Sequence, residues 1–243
     1  EPYYWKTFSR KRLCIKSRRL YNQSLYGDIM IQINRTGLKI ICMVAMTINH
    51  IGVFMSQKTQ LNTLVTYGYK FIGMIVFPIL LYLLVEGYTY TSNYQQYLKR
   101  IGFICILSII PFRLMIPNQM NVMWTLFVCL IALKTMKKNP ILTFVIGYMC
   151  TIFSDWGLFA IPLLYLYIYT TREIAFATLL SVQMLPSLIT MNALETYAPL
   201  GIILASYLLM WYNNKEIIKH KWINYLFYWY YPIHLLILGI VFG

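Results

Sequence analysis

From Leu38 to Gly243 the chain is a nearly unbroken series of apolar stretches of about 14 to 20 residues, separated by short polar links. This pattern limits the possible folds more than any other feature. The hydrocarbon core of a bilayer is about 30 Å thick, and a helix crosses it with about 20 residues. Inside that core no water satisfies backbone N–H and C=O groups, so the chain must satisfy them internally. The reading is therefore an all-α, polytopic transmembrane helix bundle. Composition agrees: 59% of the 243 residues are hydrophobic and 12% are charged, against about 25% charged in a soluble domain.

Nine spans are expected, at 38–55, 68–87, 101–116, 122–134, 140–154, 157–170, 174–190, 198–212 and 223–242. Lys and Arg set their orientation. With the N-terminus cytoplasmic, 18 of the 21 basic residues fall inside; only Lys58, Lys70 and Arg113 fall toward the outside. The net charge of +14 thus fits contact with an anionic leaflet rather than with nucleic acid. Residues 1–29 form a basic, Tyr-rich tail, and Met30 is an alternative start; residues 30–243 form the transmembrane domain. No cleavable signal pattern is visible, because the first apolar run is followed by further spans.

Several features have two readings. The five cysteines show no disulfide or zinc spacing, and the four inside apolar segments read as small apolar side chains. Pro78, Pro111, Pro162, Pro186, Pro199 and Pro232 punctuate the spans, as kinks beside a cavity or as plain packing features. Trp156, Trp211, Trp222, Tyr228, Trp229 and Tyr230 lie near span ends, where aromatic belts form.

Ionisable groups inside a bilayer are costly and usually functional. Lys39 and His50 are eleven residues apart, on nearly the same helix face and about 16 Å apart along the axis. His50 is read as catalytic, with a satisfied structural histidine as the alternative. The segment 139–171 is too short for two full spans, so its apex, near Asp155, should sit below the outer surface. Counting from the cytoplasmic ends places Asp155 about 22 Å deep, and His50, Arg113 and His234 each about 18 Å deep. These four could line one cavity; alternatively Arg113 snorkels outward past Pro111. Glu86 ends the second span, where an ion pair with Lys39 would give both a structural role. His220, Glu195 and Lys58 read as ordinary loop residues. There is no P-loop, GxGxxG, GxSxG or HExxH, which removes the usual warrants for ATP hydrolysis, dinucleotide chemistry and serine or zinc hydrolysis.

Leu38-Lys39-Ile40-Ile41 through Asn49-His50-Ile51-Gly52 resembles the opening of the TraX family, the membrane acetyltransferases of F-type pilin. The resemblance continues through Phe77-Pro78-Ile79, Leu83-Leu84-Val85-Glu86-Gly87-Tyr88, Tyr97-Leu98-Lys99-Arg100, Ile110-Pro111-Phe112, Asn121-Val122 with Thr125-Leu126, and Asp155-Trp156-Gly157. It ends at Tyr231-Pro232-Ile233-His234-Leu235, so that it covers about 38–240 in order. The chain departs from the family pattern at Asn49, where an Asp usually precedes the His, and at Ile109 and Arg113, where acidic residues usually flank Ile-Pro-Phe.

The resemblance implies a multi-pass protein of the bacterial cytoplasmic membrane that moves an acetyl group from acetyl-CoA to an amine, in F-pilin the N-terminal one. The spacing of Lys39 and His50 is also similar to an Arg-x10-His pattern of wider transmembrane acyltransferases, which modify surface glycans. Acyl transfer needs a base and an oxyanion donor. On this reading His50 is the base, Asp155 orients it, and His234 or Arg113 stabilises charge. Lys39, Lys99 and Arg100, with Glu86 beside them, would meet the donor's head group; no metal is expected. The expected partners are membrane lipid and a pilin or other surface polymer. A proton-coupled transporter and a non-enzymatic pilus or secretion assembly factor are the rival classes.

Overall fold

The computed structural model describes residues 32–190, 197–213 and 221–242. The basic tail at 1–29 and Glu195, Lys215, Lys219 and His220 lie outside the described residues. Among the described residues ten α-helices follow one another: α1 (Arg35–Lys58), α2 (Thr63–Tyr90), α3 (Tyr94–Leu107), α4 (Ile109–Met115), α5 (Val122–Thr135), α6 (Pro140–Thr151), α7 (Gly157–Tyr169), α8 (Arg172–Thr190), α9 (Gly201–Met210) and α10 (Lys221–Phe242). Among the described residues the β-structure amounts to two isolated bridges, Ile33 with Tyr212 and Met120 with Ser154.

Asparagine sets many of the helix starts. The side chains of Asn34, Asn62, Asn93, Asn121 and Asn139 each accept a backbone N–H in the first turn of α1, α2, α3, α5 and α6. Each such cap contributes about 1 kcal/mol by satisfying one of the donors that a helix start leaves unpaired.

The helix α2 is the centre of the bundle, packed by α1, α5, α7 and α9. Its stretch from Ile75 to Leu81 is buried on every side, as expected for a helix that is apolar all round. The chain's outer surface is apolar too: Ile141, Phe153 and Ile240 are each at least three-quarters exposed. Such a surface has lipid as its natural solvent. Among the described residues three helices are long and apolar enough to cross a membrane: α1, α2 and the Tyr225–Phe242 part of α10. Together these features make the chain a membrane protein.

Each apolar stretch is helical, with two refinements. The stretch 101–116 is not one helix but two, α3 and α4, separated at Ser108. Pro111 has no N–H to offer the Leu107 carbonyl, so the ladder cannot run through. The stretch 198–212 begins as a 3-10 turn, Ala198–Leu200, before α9.

The α6 and α7 helices have 12 and 13 residues, or about 18 to 20 Å each, well short of a bilayer. The turn between them is held at the start of α5. Thr125 Oγ1 lies 2.8 Å from Ser154 Oγ and 2.7 Å from the Asp155 carbonyl oxygen, and the Asp155 N–H donates to the Met120 carbonyl at 2.8 Å. Trp156 adopts φ 61° there and stacks on Phe77 of α2 at 5.0 Å.

Candidate functional site

The α1 and α10 helices lie side by side and run parallel. Tyr230 on α10 reaches both the Met43 carbonyl and the Thr47 hydroxyl of α1, and one turn further along each helix His50 meets His234. The ring nitrogens His50 Nδ1 and His234 Nε2 are 2.8 Å apart, and the rings are nearly parallel with centroids 5.1 Å apart. Both residues are buried.

The hydrogen bonds fix where the protons sit. His234 Nδ1 lies 2.8 Å from the Tyr230 carbonyl oxygen. A carbonyl can only accept, so Nδ1 carries the hydrogen. In the neutral ring His234 Nε2 is then an acceptor, and His50 Nδ1–H donates to it. His50 Nε2 is left with a bare lone pair, and no hydrogen bond engages it among the described residues. The pair thus has a direction: His234 anchors the tautomer, and His50 presents a base.

A cavity of about 560 Å³, within the size range of small-molecule sites, stops one layer short of this pair: Met46 and Tyr231 line it and neither histidine does. Arg35, Lys39 and Arg100 rim one end, and Met46, Leu126 and Tyr231 wall the other. Met46 is one turn before His50 on α1. The Tyr231 ring meets both imidazoles edge-on, at 6.4 Å from His50 and 5.6 Å from His234. Lys39 Nζ stands 5.2 Å above the Phe227 ring. Lys39 and His50 therefore do share the face of α1 that looks onto α10.

Other cations crowd the same end of the bundle. Lys134 lies over Tyr94, Lys137 over Tyr88 and Arg172 over Tyr82. Glu86 is held there by Arg35, at 2.9 Å, rather than by Lys39. The Tyr212 hydroxyl donates to the same Glu86 oxygen at 2.8 Å. Ile33 and Tyr212 sit together because Ile33 N–H donates to the Trp211 carbonyl and Asn213 N–H donates to the Ile33 carbonyl, both at 3.0 Å.

The remaining expected site residues are placed as follows. Asp155 lies in the α6–α7 turn, within electrostatic reach of Tyr231. The residue hydrogen-bonded to His50 is His234, at Nδ1, rather than Asp155. Arg113 is exposed on α4, with Nη2 3.9 Å from Met120 Sδ. Lys99 is exposed and does not line the cavity, whereas its neighbour Arg100 does. Asn49 faces Gly73 of α2, where a Cβ would collide with its side-chain amide. Sequence reasoning missed Arg35 and Tyr231. Arg35 follows a capping Asn34 at the start of the first span, and Tyr231 precedes Pro232 and His234, but nothing in either pattern marks a cavity wall.

Comparison with known proteins gives the same extent as the bundle. The chain is 24% identical over 233 residues to the probable fimbrial assembly protein FimC, serogroup H1, of Dichelobacter nodosus; the match covers 83% of this chain and 92% of that protein. No solved structure matches the chain. The TraX protein family profile matches residues 34–242, from the capping Asn34 of α1 to the last turn of α10, and the chain belongs to that family.

Proposed function

We propose that the chain is a membrane-embedded acetyltransferase of the bacterial cytoplasmic membrane, moving an acetyl group from acetyl-CoA to an acceptor amine. The observation that carries this reading is the bare His50 Nε2 behind a cavity whose open rim is cationic. A polyanionic donor would be attracted to Arg35, Lys39 and Arg100, and its thioester arm would extend toward Met46 and Tyr231. His50 Nε2 would take the proton of the attacking amine, with its ring held by His234. The site lies among apolar walls, where a fixed donor acts more strongly than in water.

The name of the Dichelobacter relative supports a pilin as the acceptor. The same name also supports a second reading, a pilus assembly factor without enzymatic activity. A surface glycan hydroxyl needs the same base and is the alternative acceptor. The test is transfer of labelled acetyl from acetyl-CoA in membranes carrying the protein, wild type beside His50→Ala. Label entering a protein or glycan with wild type alone supports the enzyme and identifies the acceptor. If a correctly inserted wild type transfers nothing while pilus assembly depends on it, the assembly reading takes its place.

A further inference from the structure

Tyr231 is 3% exposed, and its hydroxyl has no hydrogen-bond partner among the described residues. Burying a hydroxyl unpaired costs stability, so a fold normally pairs it. Here the unpaired group belongs to a residue that lines the cavity and touches both histidine rings. The Val122 N–H at the start of α5 faces the Tyr231 oxygen and the Asp155 turn lies nearby; an N–H can only donate, so the Tyr231 O–H is still without an acceptor. A buried O–H without an acceptor, on a residue of the cavity wall, is suited to an acceptor that arrives with the ligand.

We propose that the Tyr231 hydroxyl is a catalytic hydrogen-bond donor to the carbonyl oxygen of the acyl group being transferred. This rests on the acyltransferase reading above and adds a residue to it. The acceptor nitrogen forms a bond to the carbonyl carbon, and the π pair moves onto the oxygen, where Tyr231 O–H meets it. His50 Nε2 takes the nitrogen's proton. When the pair returns, the carbon–sulfur bond breaks, and the proton passes from His50 to the departing sulfur. An amide and a free thiol result, with no other reactant needed.

Tyr231→Phe tests this in the full-length protein in membranes. The turnover rate should fall by about 10²- to 10³-fold, the range for one lost oxyanion donor, while KM for acetyl-CoA stays within about twofold. A non-transferring analogue with methylene in place of the thioester sulfur should bind both proteins alike. The thermal midpoint of the variant should equal or exceed that of wild type, because it no longer buries an unpaired hydroxyl. Full turnover in Tyr231→Phe overturns the proposal. So does a loss of turnover with a lowered midpoint, which would make the hydroxyl structural. Absence of transfer by the wild type would instead remove the acyltransferase reading, and this proposal with it.

Discussion

At the scale of the residue, the direction of the histidine pair makes its two members unequal. Glutamine places an amide where Nε2 stands, but cannot take up a proton at neutral pH. His50→Gln should therefore lose about 10²- to 10⁴-fold in acetyl transfer, the usual contribution of a general base. In His234→Gln the amide oxygen can still accept from His50 Nδ1–H, so this variant should retain clearly more activity than His234→Leu, which cannot. Equal activity in the two His234 variants would remove His234 from the tautomer argument. Glu86 gives a second test. It is buried with one oxygen on Arg35 and Tyr212 and the other unpartnered. Arg35→Leu strands that carboxylate and should cost about 3 to 5 kcal/mol in detergent unfolding, much of it recovered in Arg35→Leu/Glu86→Gln. Depth along the helices was legible in the sequence: it put His50 and His234 at the same level, where they meet. Azimuth was not. Arg113 counts to the same depth but is exposed, on α4 beyond the break at Ser108. Likewise the identity of the cation beside Glu86 depends on how α1 turns against α2, which no spacing within α1 records.

At the scale of the element, the α6–α7 hairpin was legible as a pair too short to cross, from the 33-residue length of the segment Asn139 to Thr171 alone. Its attachment was not, because Thr125 and Ser154 are ordinary residues until the turn brings them together. Gly157 opens α7 against the Thr151 carbonyl, and an added Cβ would collide with that backbone oxygen. Gly157→Ala should therefore destabilise the protein by about 1 to 3 kcal/mol, read as a lowered thermal midpoint. An unchanged midpoint would mean that the turn can shift without cost. The two helices α1 and α10 bear the site because each presents residues at helical spacing to the other: Met43, Thr47 and His50 on one side, Tyr230 and His234 on the other.

At the scale of the whole molecule, Arg35, Lys134, Lys137 and Arg172 gather at one end of the bundle, and that end should face the cytoplasm. A periplasmic alkaline phosphatase reporter fused after Gly243 should be active, and one fused after Lys138 inactive. The reverse pattern would invert the topology and put the cavity's rim on the wrong side for a cytoplasmic donor. The parallel course of α1 and α10 has a consequence for biogenesis. The two histidines are 184 residues apart in the chain, so a ribosome making about 5 to 20 residues per second needs roughly 10 to 40 s to travel from one to the other. For that interval the nascent protein carries one histidine of the pair without its partner, and premature termination leaves it so. Synthesis of α10 is thus itself the step that assembles the pair.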